Sequence, residues 1–318
     1  MSHDGLPRLG PRGLSGPLGR LSAVTIAVDP PAVAPPAADA RTVALLRKAR
    51  GLGVTTFDVA TTRSPERAER LIARAFPEPG PEVSVVVARS IDVLSRERTL
   101  AGGPISAADV ASALAESIDQ SRRRLAPVPV GLVEWLPSPD EEPGNPPGGV
   151  PGPRPSLGVP EPLWAVRLSP GEASLPTGGP EPRLLSGSFS LLEPEIGSRF
   201  EAQGTPPTAF LIARDPFSEG RLDGSRFAHE TGLAGPGSPP VDVRQLHREF
   251  DPVLRLGFLT AGRRRTLAQA ALQFVLHWPW VASVVVPLPT PERFEEILGF
   301  SATPPISSEE FAQIRALK

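Results

Sequence analysis

The sequence predicts an α/β fold: one domain built around a parallel sheet. Short apolar, β-branched runs alternate with amphipathic helical segments along much of the chain. A strand–helix–strand order with connections this short implies parallel pairing through right-handed crossovers. The chain has 318 residues, 40% of them hydrophobic, enough for one large core of the size that α/β barrels use. There is no internal repeat beyond the βα alternation and no second domain boundary, so residues 1–318 read as a single unit.

The elements follow in order. Residues 1–20 are rich in Gly, Pro and Arg and are expected to be loosely ordered; 21–28 (LSAVTIAV) read as the first strand. After a proline-rich loop, Asp39 is expected to cap a helix whose face carries Val43, Leu46 and Ala49 and which stops near Gly51 and Gly53. Residues 54–58 form a buried strand ending at Asp58. Ser64-Pro65-Glu66 then starts a helix, with a capping hydroxyl, a proline at the first position and an early acid. Its apolar face is Ala68, Leu71, Ile72, Ala75 and Phe76. A strand at 83–88 ends at Arg89. Ser106 and Asp109 resemble a capping box opening a helix with Val110, Leu114, Ile118 and Leu125 on one side. The strand at 130–136 carries Glu134 near its end.

The pattern then breaks. Residues 137–162 hold too many prolines for a helix and read as a Pro/Gly-rich loop insertion. A strand resumes at 163–169, 170–183 is irregular, and 184–192 gives a short strand. A weak helix is expected at 195–203, a strand at 209–214 and a long loop at 215–240. Thr266 caps an amphipathic helix at 266–277, and a buried strand covers 281–286. Thr290-Pro291-Glu292 is expected to start a helix running to about Phe300, and Ser307 a terminal one with its own capping box.

Composition excludes several functions. Cysteine is absent, so disulfides and thiol catalysis are too. Net charge is −2, which favours neither nucleic acid nor membrane. The apolar runs are too short to span a bilayer and the N-terminus lacks a signal-like apolar core, so a cytoplasmic protein is expected. Lys48 and Lys318 are the only lysines, which argues against a Schiff base, and there is no tyrosine. His3, His229, His247 and His277 are scattered without ligand spacing, so no metal site is expected.

Four segments, in order, resemble the aldo-keto reductase family. They are Phe57-Asp58-Val59-Ala60 with Pro65-Glu66 and Leu71; Ser121 to Leu125 followed by Val128 to Trp135; Ala213-Arg214-Asp215-Pro216 through Gly220 to Gly224; and Ala268 to Leu276 followed by Val281 to Ile297. The resemblance covers roughly residues 15–136 and 163–317. It implies a (β/α)8 barrel that binds NADP(H), with the helices after strands 4 and 5 replaced by Pro/Gly-rich loops. The flank left uncovered is expected to meet a protein partner or a second copy.

The family's catalytic tetrad is Asp, Tyr, Lys and His at the C-terminal mouth of the barrel. Tyrosine protonates the substrate carbonyl, lysine paired with the aspartate lowers the tyrosine pKa, and histidine orients the carbonyl. In this chain the matching positions are Asp58, Arg63, Arg89 and Glu134. A guanidinium stays protonated under working conditions, so Arg63 cannot donate the proton. Arg89 is expected to pair with Asp58. The resemblance assigns cofactor contacts to Ser169, Ser186, Arg214, Pro216, Gly220, Thr290 and Arg293; the asparagine expected after Ser169 is Pro170, and the basic residue that holds the 2′-phosphate is missing.

Three functions are therefore open. One is a barrel without carbonyl-reductase chemistry that binds or scaffolds, with a small molecule or anion at its mouth. The second is a divergent NADP(H)-dependent oxidoreductase using Glu134 as acid. The third is a cofactor-independent acid–base enzyme using Asp58 and Glu134.

Overall fold

The computed structural model describes residues 19, 21–60, 62–78, 83–90, 107–136, 163–168, 183–202, 209–230 and 243–317. Eight strands pair in sequence order, all parallel: β1 (Val24–Ala27), β2 (Thr56–Asp58), β3 (Ser84–Ser90), β4 (Val130–Leu136), β5 (Leu163–Arg167), β6 (Arg183–Ser188), β7 (Ala209–Arg214) and β8 (Val281–Pro287). β8 pairs with β1 and closes the barrel. The expected (β/α)8 architecture is the observed one.

The helices among the described residues are α1 (Pro36–Gly51), α2 (Pro65–Ala75), α3 (Ala107–Leu125), α4 (Glu195–Glu201), α5 (Ser225–Glu230), α6 (Val243–Leu254), α7 (Leu267–His277), α8 (Phe294–Leu298) and α9 (Ser308–Ala316). The strands read as nearly continuous apolar runs because both of their faces are covered. Val85, Val87, Val133, Leu211 and Val284 pack outward with helix residues such as Leu46, Leu71 and Leu272. Their neighbours Val86, Leu132, Ala165, Leu184, Ile212 and Val285 form a separate cluster inside the barrel. At the N-terminal end the interior is polar but satisfied. Thr25 Oγ1 lies 2.8 Å from Ser283 Oγ, which donates to the Ser22 carbonyl at 2.7 Å. Where β3 meets β4, a Cβ on Gly131 would lie 2.5 Å from the Ser84 Cβ, so only glycine permits that approach.

Two capping boxes appear where the sequence puts them, Thr266 with Gln269 on α7 and Ser307 with Glu310 on α9. Other local expectations need correction. α1 starts at Pro36 rather than at Asp39, because prolines suit the first helical turn. Asp39 lies in that turn and accepts from Arg67 Nη2 at 2.5 Å, tying α1 to α2. Ser64 holds the cap position of α2 but its hydroxyl makes no capping bond. Thr290 does not open α8, which begins four residues later and has only 5 residues. The loop expected at 215–240 contains α5. The loop expected at 137–162, the segment 1–18 and the cap at Ser106 lie outside the described residues, as does the irregular stretch expected at 170–183 except Arg183, which begins β6.

Two buried ionic knots hold the outer layer. Glu69 on α2, 1% exposed, accepts from Ser121 at 2.5 Å and from Arg124, both on α3. Arg265 donates to the carbonyls of Leu259, Pro304 and Pro305 at 3.0, 2.8 and 3.0 Å and to Glu310. That single guanidinium fastens α9 to the start of α7.

Candidate functional site at the barrel mouth

Alternate residues of a strand face opposite sides. Leu132, Ala165, Leu184 and Ile212 line the interior, so the residues two places on, Glu134, Arg167, Ser186 and Arg214, enter it one layer higher. Asp58 joins them from the last position of β2. Five strands thus deliver five polar side chains to the C-terminal mouth, where barrels of this class place their chemistry.

Arg214 is the centre. Its Nη2 donates to Asp58 Oδ2 at 2.6 Å and to Glu134 Oε2 at 2.8 Å; its Nε donates to Glu134 Oε1 at 3.0 Å and to Ser186 Oγ at 2.8 Å. Arg167 forms a second, two-pronged contact with Glu134, at 3.1 and 2.5 Å. Asp58 Oδ1 accepts from the Ala60 backbone N–H at 2.7 Å. Asp58, Glu134 and Arg214 are 1%, 0% and 8% exposed. Two acids and two guanidiniums close a neutral network in which every carboxylate oxygen has a donor.

The two carboxylates are pushed in opposite directions. Burial raises the Asp58 pKa, Arg214 opposes that only in part, and Glu134 adds to it. Burial would raise Glu134 as well, but Arg214 and Arg167 outweigh it and hold the carboxyl below its usual range. Burial disfavours the charge on Arg214, yet Asp58 and Glu134 together raise its pKa above the ordinary value. Around neutrality Glu134 is therefore ionised and Arg214 a fixed cation.

The remaining expected site residues are dispersed. Arg63 is outside the mouth, with its side chain 90% exposed and 3.8 Å from Asp29. Asp58 has Arg214 as its cationic partner; the side chain of Arg89, the partner the sequence suggested, lies outside the described residues, as does Ser169. Pro216 and Gly220 border a groove of about 330 Å³ between the loop after β7 and the ends of β1 and β8, with Ala27, Phe217, Asp223 and Val285. The loop after β7 has one strict requirement. Gly220 has φ +85°, and a Cβ there would lie 2.3 Å from Ser225 Oγ and 2.9 Å from the Arg226 nitrogen. Arg293 donates to Asp223 and Glu296 at 3.0 and 3.2 Å, while Thr290 precedes a turn and its carbonyl accepts from the Arg293 N–H at 3.1 Å. No group of three or more metal-ligating side chains occurs among the described residues, and no described helix is long and apolar enough to cross a membrane.

Arg167 was not singled out from the sequence. The signal was present: Leu163, Ala165 and Arg167 alternate with Trp164 and Val166, so the arginine shares the inward parity of two small or apolar residues. Asp215 was also passed over except as loop sequence. It has φ 50°, its carboxylate accepts from the Glu219 N–H at 2.8 and 2.9 Å, and burial, with Glu193 and Glu219 nearby, pushes its pKa to about 6. A raised acid binds its proton more tightly in the native than in the unfolded chain. Stability therefore falls as pH rises from the unfolded value of 3.8 through about 6. Asp215→Asn is expected to raise the melting temperature at about pH 7.5 and to flatten the profile across that window, read by thermal melts over a pH series.

No protein-family model matches the chain, and no characterised protein matches it by sequence. Solved structures do match it by shape. A thermostable aldo-keto reductase in complex with the inhibitor epalrestat has a TM-score of 0.60 at 15% identity, covering 98% of this chain and 99% of that one. An aldo/keto reductase from Klebsiella pneumoniae in complex with NADP and acetate gives 0.59 at 15% identity, with 93% and 91% covered. The apo form of an aldo-keto reductase from Bacillus halodurans gives 0.57 at 13%, with 93% and 92% covered. Identities this low establish the fold alone: the chain is folded as a barrel of the aldo-keto reductase type.

Proposed function

We propose that this is an aldo-keto reductase-like barrel without carbonyl-reductase chemistry, acting as a binding or scaffold protein. The observation that carries this reading is the saturation of the mouth by Arg214. Carbonyl reduction needs a proton donor beside the substrate oxygen and an open place for that oxygen. Glu134 is held ionised by two guanidiniums, Arg63 points into solvent, and the chain has no tyrosine. The arginine that would border a nicotinamide is instead spent on Asp58, Glu134 and Ser186.

The fold family implies NADP(H), and we read the residues present as not fitting it. Ser186 is engaged by Arg214, Arg293 is engaged by two carboxylates, and Asp215 and Asp223 present acids to the groove where a diphosphate would need donors. The groove's size is at the low end for small-molecule sites, and its Phe217, Val285 and Pro287 surfaces suit a ligand without phosphates. A reductase using Glu134 as acid is disfavoured for the same reason that Glu134 stays ionised.

One observation favours a second reading. Asp58 raised and Glu134 lowered, joined by one guanidinium, are two carboxylates in opposite protonation regimes, as acid–base pairs require. Their near-complete burial speaks against substrate access. The test is a carbonyl panel of aldehydes, ketones and steroids with NADPH and NADH, followed by nicotinamide absorbance. No turnover is expected. Reduction of any member within about a hundredfold of the ~10 s⁻¹ typical of enzymes would overturn the proposal.

A further inference from the structure

We infer that Arg293, which bonds the groove-lining Asp223, is a latent phosphate site occupied by the protein's own carboxylates, Asp223 and Glu296. The inference rests on the reading that this barrel no longer works with NADP(H), and it supplies the structural cause.

Arg293 precedes α8, its side chain is 30% exposed, and it reaches the groove through Asp223, which lines it. A guanidinium recognises phosphate through two parallel N–H groups. Here Nη1 donates to Asp223 Oδ2 at 3.0 Å and Nε to Glu296 Oε2 at 3.2 Å. Two separate carboxylates thus take the two faces that a phosphate would use. Asp223 is not a mobile surface acid that would yield readily. Its side chain is 10% exposed, and its Oδ1 accepts from the Ser225 N–H at 3.0 Å and the Ser225 hydroxyl at 2.7 Å. The loop that presents it is fixed in turn by the close contact at Gly220 and by a hydrogen bond from the Arg226 N–H to the Gly220 carbonyl at 3.0 Å.

The other cations bordering the loop are similarly engaged. Arg221 donates to Glu193 at 2.9 Å and to the Ser218 carbonyl at 3.0 Å, and Arg214 belongs to the mouth network. A phosphate entering the groove would meet Asp215 and Asp223, both lining it, at separations well inside the ~8 Å over which physiological salt screens charge. Repulsion and loss of the Arg293 contacts act together. Removing the two acids that hold Arg293 leaves its guanidinium beside an otherwise unchanged groove, with an amide at position 223 still able to accept from Ser225.

The experiment titrates the full-length protein and Asp223→Asn/Glu296→Gln with NADPH and with inorganic pyrophosphate, by calorimetry and nicotinamide fluorescence. The wild type is expected to show no saturable binding below about 1 mM. The double variant is expected to bind at least tenfold more tightly, and adding Arg293→Ala should abolish the gain. Glu296→Gln alone, which leaves the loop anchor intact, should give a smaller gain and serves if the double variant does not melt cooperatively. Micromolar NADPH binding by the wild type overturns the inference, as does a folded variant that binds no better. Carbonyl panels run on the same samples keep the two ideas apart: tight binding without turnover sinks this inference and the misfit to NADP(H), whereas turnover sinks the proposal that the barrel lacks carbonyl-reductase chemistry.

Discussion

Arg214→Met is expected to destabilise the protein by about 3–5 kcal/mol, the cost of stripping one partner from a buried ionic group. The methionine fills much of the volume but, among the described residues, takes away the cation of Asp58 and leaves Glu134 with Arg167. The measurement is urea unfolding of the wild type and variant. Adding Asp58→Asn should return a substantial part of the loss, because the uncompensated charge is then gone. The pH dependence has a definite sign. In the wild type, Glu134 is lowered, so its contribution is present above the unfolded pKa and is lost as pH falls through the folded one. Asp58 is raised, so its ionisation costs stability at neutral pH, and acid relieves that cost. In the variant both acids lose Arg214, both pKa values move up, and the gap to the wild type should narrow as pH falls. A gap that stays constant from neutral pH down to about 4.5 would contradict this account.

The second large effect is expected at Arg265. Replacement by methionine removes four hydrogen bonds, one of them to a carboxylate, and leaves three carbonyl groups to find other donors. About 3 kcal/mol of lost stability follows from the usual worth of charged hydrogen bonds. The loss should be local before it is global. α9 should exchange its amide hydrogens with solvent well before the strands do, since Arg265 is its buried ionic tie, beside the Phe311 contacts with His277, Phe274 and Trp278 at 4.1, 6.1 and 6.4 Å and the buried Ile314. Uniform exchange across α9 and the barrel would show that the knot is not a local fastener.

Much of the barrel was legible because burial writes itself into sequence. A strand covered on both sides is apolar at nearly every position, and residues 83–87 and 281–286 are apolar but for Ser84 and Ser283. The capping boxes at Thr266 and Ser307 were legible because the chemistry is local, three residues apart. Boundaries set by tertiary contacts were not. Asp39 looks like a cap, but its carboxylate is drawn to Arg67 28 residues away, and the prolines before it start the helix first. At the mouth, the acids were found because they occupy positions the family resemblance marks. The cations that join them were not read, since pairing depends on how far each strand end climbs around the barrel. The resemblance pointed to Arg89 for Asp58, and closure of the barrel shows that Arg214 and Arg167 reach across to the acids.

The origin of the charges in that network has a consequence for assembly. Both acids come from the first half of the barrel, on β2 and β4, and both cations come from the second half, on β5 and β7. Among the described residues of the network, each half alone would bury a surplus of one sign. Two copies of the same half could not substitute for the missing one, because like charges would face each other across the interior. The chain therefore carries an electrostatic key: it rewards union of unlike halves, penalises duplication, and makes completion of the circle the step at which both charges are neutralised together.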